Sequence, residues 1–200
     1  MDLVNPARGI KLPPLDNWRE RTISVDEEMD LHASYHVRLK DPGRYWDIVQ
    51  VALHTGLRRH EQLSLRVRDF TGQALRVPGL ITKTRKPRTV PLNATALAIV
   101  ADACADCSGD QFIFLPTHKG TRYKVGERMY NNIWTPCCEL AGIKGLEWRD
   151  LRRTFATRLV AKGTSLYVVQ ALLGHSNPRQ TMRYSVLAAD TLRAAVELLD

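Results

Sequence analysis

The segment LLGHSNPRQTMRYSVL, Leu172 to Leu187, carries an imidazole at His175 and a phenol at Tyr184, nine residues later, with the guanidiniums of Arg179 and Arg183 between them. Cations hold anions, and a phenol among cations is driven toward phenolate, the nucleophilic form. Taken alone, the window reads more simply as a helix-turn-helix in which Tyr184 is a half-buried packing residue. Two other segments crowd basic groups in the same way. HTGLRRHEQLSL places Arg58 two residues after Gly56 at a helix start, where a guanidinium and backbone N–H groups can both face an anion. WRDLRRTFATRLVAKG gathers Arg149, Arg152 and Arg153 at one end of a helix whose apolar side is Leu151, Phe155, Leu159 and Val160. Like charges three apart destabilise a bare helix, so this cluster expects an anion; a solvated basic face is the plain alternative.

These residues need elements to hold them. Residues 1–23, with three prolines and several charges but no periodicity, read as an extended arm or interdomain linker. A domain is expected from Ser24 to residue 200. Ser24 and Glu27 form a capping box, so the acidic cluster behind them punctuates a helix. RYWDIVQVALHTG reads as a buried helix ended by Gly56, and RRHEQLSLRV as a shorter one. ALRVPGLITKTRKPRTVPL changes to short β-prone runs, with TRKP as a basic tip between LIT and RTVPL. Helix is expected again over Asn93 to about Cys107, Glu127 to Leu140, Glu147 to Lys162 and Ser165 to Leu173, then a turn at Pro178 and a last helix from Ala188. In that last helix Leu192, Val196 and Leu199 form a small apolar stripe, which packs on its own domain or on a neighbouring copy. The fold class is mainly α with a small antiparallel β-sheet, an α+β arrangement.

With 29 Lys and Arg against 21 Asp and Glu, the formal charge is +8, which points to a polyanionic partner. No apolar run approaches the roughly 18 residues of a membrane span, and the start MDLVNPARG lacks a signal-peptide core, so the chain is expected to stay where it is made. Cys104, Cys107, Cys137 and Cys138 suit a reducing cytoplasm. Cys104 and Cys107 have zinc-like spacing, but their only mates are adjacent in sequence. His32 and His36 have helical metal spacing without a third ligand, so a solvated or capping role is expected.

Taken in order, TGLRRHEQLSL, TKTRKPRTVPL, RDLRRTFATRLVAKG and LLGHSNPRQTMRYSV resemble the catalytic domain of the tyrosine recombinases, the phage-integrase family. The resemblance runs from about Ser24 to Ser185. It implies that family's catalytic-domain fold and makes the arm the linker that follows an N-terminal DNA-clamping domain, itself expected to be absent here. It makes Tyr184 the nucleophile, Arg58 and Arg152 the grip on the scissile phosphate, and Lys83 the acid that protonates the leaving 5′ oxygen. His175 becomes a hydrogen-bond donor to the phosphate, and Glu61 an orienting carboxylate. Arg149 departs from the pattern, which most often has His there; it is expected to act electrostatically. Lys86, Arg88, Arg153 and Arg179 are candidate DNA contacts. The implied partners are double-stranded DNA and further copies of the chain, as a tetramer on DNA; no cofactor or metal is implied. The setting is a bacterial or phage-encoded cytoplasmic protein.

The chemistry agrees with those roles. A phosphodiester gains negative charge under attack, and preorganised arginines hold its oxygens through charge-assisted hydrogen bonds. Forming phenolate at pH 7 costs roughly 4 kcal/mol for an unperturbed Tyr, and surrounding cations reduce that cost. A covalent phosphotyrosyl bond conserves the phosphodiester, so a second DNA end can reseal it without ATP. Two alternatives use part of the same set: relaxation of supercoils in the manner of a type IB topoisomerase, and non-catalytic DNA binding by a helix-turn-helix. The latter gives no role to Lys83 or Arg58.

Overall fold

The computed structural model describes residues 20–40, 42–105, 107, 109–114 and 129–184. Among the described residues the chain is mostly helical with one two-stranded antiparallel sheet, as the pattern predicts. Helix α1, Val25–Arg38, begins at the capping box: Ser24 Oγ accepts the Glu27 N–H at 3.1 Å, and a Glu27 carboxylate oxygen accepts the Ser24 N–H at 3.0 Å. The ordered packing starts slightly before that cap. Ile23 is buried, its N–H donates to Thr154 Oγ1 at 3.0 Å, and Arg21 pairs with Glu27, so the last residues of the expected linker belong to the domain.

Helix α2, Gly43–Thr55, is the central element, and its apolar face, including Ile48, Val49, Ala52 and Leu53, is buried. It packs against α4, Ala94–Ala105, and α6, Trp148–Ala161. Gly56 stops α2 in the left-handed conformation at φ 62°. A Cβ there would lie 2.4 Å from Phe155 Cδ1 and 2.9 Å from Leu173 Cδ2, so both the backbone angle and the space require glycine. Beyond it RRHEQLSLRV gives one short turn of helix, α3 over Arg59–Gln62, followed by a 3₁₀ turn at Val67–Asp69.

Strands β1, Ala74–Val77, and β2, Arg88–Pro91, pair antiparallel with Leu75 opposite Val90. Leu75, Val77 and Val90 point into the core. The expected strand LIT is instead a 3₁₀ turn at Gly79–Ile81. Pro78 has no N–H to continue the ladder, and Gly79 approaches the Arg85 carbonyl so closely that a Cβ would sit 2.5 Å from its oxygen. The hairpin therefore closes through a longer, more folded connection than the sequence pattern indicates.

A π-helical turn at Tyr130–Trp134 runs directly into α5, Thr135–Leu140. Trp134 meets Trp148 edge to face with ring centroids 4.9 Å apart, which ties this segment to the start of α6. Helix α7, Leu166–Leu173, is capped by Ser165 and ended by left-handed Gly174, and α8 spans Arg179–Met182 behind Pro178. Among the described residues two apolar clusters result. The larger joins α1, α2, the sheet and α5; the smaller comprises Phe155, Ala156, Val160, Val169, Leu173 and Tyr184. Each fully buried Leu or Val contributes roughly 1.5–3 kcal/mol, so the small cluster is enough to fix α7 and the Tyr184 turn against α6. The helix expected from Ala188, with its apolar stripe, lies outside the described residues.

Candidate active site

One buried carboxylate organises the arginines. Glu61 is 1% exposed and sits in the first turn of α3, where it accepts the Arg58 N–H at 2.9 Å and Arg58 Nη1 at 2.8 Å. Arg88 reaches it from β2 with both terminal nitrogens, at 3.1 and 2.7 Å, and Arg152 Nη1 lies 3.9 Å away. Burial alone would push the Glu61 pKa up; the Arg88 hydrogen bonds and charge, the Arg58 N–H and the Arg152 charge overcome that and hold it at about 2. The site thus contains a fixed negative charge that spaces three positive ones.

Arg152 rises from α6 and spans two helix ends. Its Nη1 donates to the Gly56 carbonyl at 2.8 Å and its Nη2 to the Leu173 carbonyl at 2.6 Å. Both carbonyls belong to the last turns of helices, where no intrahelical donor remains and the helix dipole favours a cation. Burial, with the Arg58 and Arg88 charges, lowers the Arg152 pKa to about 9, against the pull of Glu61, so it is a cation at neutral pH.

His175 follows Gly174 and faces the same space. Its Nδ1 lies 2.8 Å from Thr181 Oγ1, and Thr181 is 2% exposed. Burial and the charges of Arg152, Arg58 and Arg88 lower the imidazole pKa to about 4, so the ring is neutral at pH 7. A neutral imidazole keeps one N–H donor, and the Thr181 contact fixes the orientation of the ring.

Tyr184 lies one turn beyond Thr181, its N–H donating to the Thr181 carbonyl at 3.0 Å. The side chain is buried in the smaller apolar cluster. Burial raises its pKa, opposed by the charges of Arg152 and Arg153 and by a hydrogen bond from Arg153. Arg153 in turn pairs with Asp150 at 2.9 Å.

These groups line one cleft of about 800 Å³: Arg58, Arg149, Arg152, Arg153, His175 and Tyr184 share it with Arg59, Tyr130 and Arg183. Its many guanidiniums and scarce carboxylates suit an anionic ligand. The remaining predicted residues are placed differently. Arg149 lines the cleft but is 65% exposed and pairs with Glu147 at 2.7 Å. Lys83 and Lys86 are exposed on the β1–β2 hairpin outside the cleft lining, and Arg179 is exposed at the start of α8. Arg88, a candidate DNA contact, is 10% exposed, anchored on Glu61 and donating to the Leu172 carbonyl at 3.1 Å. Its basic type gave no signal of that buried partner, which lies 27 residues away.

Two further cleft residues, and a threonine outside the cleft lining, are not among the site residues that the sequence suggests. Arg59 stands over the Tyr130 ring, 4.8 Å from its centroid, Arg183 immediately precedes the tyrosine, and Thr181 holds the His175 ring. The TMRY order places Thr181 and Tyr184 one helical turn apart, a signal that spacing alone carries. Among the described residues no three His, Cys, Asp or Glu side chains converge as metal ligands do, and no helix is long and apolar enough to cross a membrane.

Residues 26–190 match the family model described as the phage integrase family. The tyrosine recombinase XerC of Proteus mirabilis is 32% identical over 195 residues, which cover 92% of this chain and 60% of that protein. The chain thus spans about three fifths of the length of this curated relative. Among solved structures, the Tn1549 transposon integrase in complex with circular intermediate DNA superposes with a TM-score of 0.72 at 20% identity, covering 92% of this chain and 69% of that one. The catalytic domain of bacteriophage HP1 integrase superposes with a TM-score of 0.63 at 24% identity, covering 88% of this chain and 93% of that domain.

Proposed function

The chain belongs to the phage integrase family, and from that premise we propose that it is the catalytic domain of a site-specific DNA recombinase that cuts and rejoins duplex DNA through a 3′-phosphotyrosyl intermediate. The observation that carries this reading is the cleft itself, in which the phenol of Tyr184 shares one space with the guanidiniums of Arg58 and Arg152 and the neutral imidazole of His175. A scissile phosphate seated there receives paired N–H donors on its non-bridging oxygens. Tyr184 Oη bonds to phosphorus as the bond to the 5′ oxygen breaks, giving a 3′-phosphotyrosine and a free 5′-hydroxyl. Charge that develops on the phosphoryl oxygens meets Arg58, Arg152 and the imidazole of His175. Glu61 and Arg88 act through the arginines by fixing their positions.

In this reading Lys83 protonates the departing 5′ oxygen, brought to the cleft by the exposed hairpin when DNA is bound. Arg149 adds an electrostatic donor at the rim. The reaction conserves the phosphodiester, and neither cofactor nor metal has a step. The partners are double-stranded DNA and other copies of the chain in a tetramer, in a bacterial cytoplasm. The DNA-bound transposon integrase with the same fold supports DNA as the partner.

Relaxation of supercoils by the same nucleophile is the second outcome of this chemistry. The two are separated by incubating two differently labelled duplexes, selected from a randomised pool for covalent capture, with the protein. Joined products carrying both labels are expected; relaxation of a plasmid carrying the same site, with no joined product, would replace the recombinase by a topoisomerase.

A further inference from the structure

We propose that Arg153 is the catalytic residue that stabilises the Tyr184 phenolate, a role resting on the recombinase reading above. Three arginines leave α6 near the tyrosine; the charges of Arg152 and Arg153 both favour its anion, and Arg153 also donates to its oxygen. Arg149 is turned outward onto Glu147 at 2.7 Å. Arg152 is committed to the Gly56 and Leu173 carbonyls and faces Glu61. Arg153 is 14% exposed, lines the cleft and donates a hydrogen bond to the Tyr184 phenol.

Its aim is fixed by Asp150, which is 0% exposed and divides its two carboxylate oxygens between separate tasks. One accepts the Glu147 N–H at 2.8 Å, where it caps α6; the other accepts Arg153 Nη1 at 2.9 Å. A guanidinium has five N–H groups in a rigid plane, so tying one nitrogen to Asp150 orients the rest toward the phenol without exhausting them. Arg153 stays protonated throughout and is no base. The phenolic proton passes to water in the cleft, the oxygen becomes phenolate, and its electron pair forms the bond to phosphorus. Arg153 favours that anion by charge and hydrogen bond, the function a titrating side chain at position 149 would otherwise assist.

The test places a single fluorinated tyrosine at position 184, whose more acidic phenol titrates where the fold is intact, and follows its fluorine resonance against pH without DNA. Arg153→Ala is expected to raise the phenol pKa by about one unit or more, Arg153→Lys by less. In single-turnover cleavage with the natural tyrosine, Arg153→Ala should be at least about tenfold slower at pH 7, with the deficit shrinking as pH rises. An unmoved fluorine titration, or a rate loss equal at every pH, overturns the proposal; unchanged titration with weaker DNA binding makes Arg153 a phosphate contact. If Arg153→Ala does not fold, Arg153→Lys and Arg153→Gln carry the comparison. The titration needs no activity, so a parent protein that forms no adduct would sink the recombinase reading while leaving Arg153 tested by its fluorine shift.

Discussion

Arg88 closes on Glu61 with both terminal nitrogens, 3.1 Å to Oε1 and 2.7 Å to Oε2, and so joins the β-hairpin to the turn that presents Arg58. The pair is almost entirely shielded from water, at 10% and 1% exposure. Such pairs owe their importance to what is left when one member is lost.

Glu61→Ala leaves Arg58, Arg88 and Arg152 mutually repelling around an empty position, and is expected to cost roughly 3–5 kcal/mol in urea unfolding. Glu61 also sets an acid limit. Its folded pKa of about 2 lies below the value of 4.5 for a free carboxyl, so its contribution is complete above pH 4.5 and is lost as pH falls toward 2. Stability of the parent should fall through that window by up to roughly 3 kcal/mol more than that of Glu61→Gln.

His175 governs the adjacent window. Its folded pKa of about 4 lies below the free value of 6.5, so the unfolded chain binds the extra proton between those limits and stability rises with pH across them. Melting temperatures of the parent should drop from pH 6.5 to pH 4 more steeply than those of His175→Gln. Equal slopes would show that the ring is not held neutral.

Gly56→Ala couples the fold to the site. The new methyl meets Phe155 and Leu173, and the displaced carbonyl is the one that receives Arg152. Thermal unfolding should show a loss of at least about 1–3 kcal/mol, and cleavage by the folded fraction should slow as well. Lost stability with a normal rate per folded molecule would uncouple the two.

Arg149 and Arg152 are separated by their burial. Arg152→Ala removes a guanidinium held by two carbonyls and should slow adduct formation on the order of a hundredfold or more. Arg149, exposed and half-neutralised by Glu147, should cost only about tenfold on truncation to Ala and less as Arg149→His. A full-sized loss at Arg149 would mean that bound DNA draws it off Glu147.

Much of this arrangement is legible in the sequence because it is local. Ser24 with Glu27, and the two glycines at Gly56 and Gly174, define helix ends through residues within one turn of each other. The resemblance likewise points to Arg58, Arg152, His175 and Tyr184, which the structure brings into one cleft. What was not legible depends on distant partners. LIT has strand-forming residues, yet Pro78 and the close approach of Gly79 to Arg85 impose a 3₁₀ turn. Arg88 reads as one more basic residue of a hairpin until the chain brings Glu61 beneath it. Spacing puts Arg149, Arg152 and Arg153 on one end of α6, but the partners Glu147, Gly56 and Asp150 decide where each guanidinium points.

In the proposed mechanism Tyr184 attacks DNA. That step is tested by incubating the protein with a randomised pool of nicked duplexes, in which the cleaved fragment diffuses away, and resolving the mixture under denaturing conditions. The parent is predicted to yield a covalent protein–DNA species whose phosphotyrosyl peptide contains Tyr184, and Tyr184→Phe, which loses one oxygen and little packing, to bind DNA without forming it. An adduct from the Tyr184→Phe protein, or one mapped to another residue, would contradict the account.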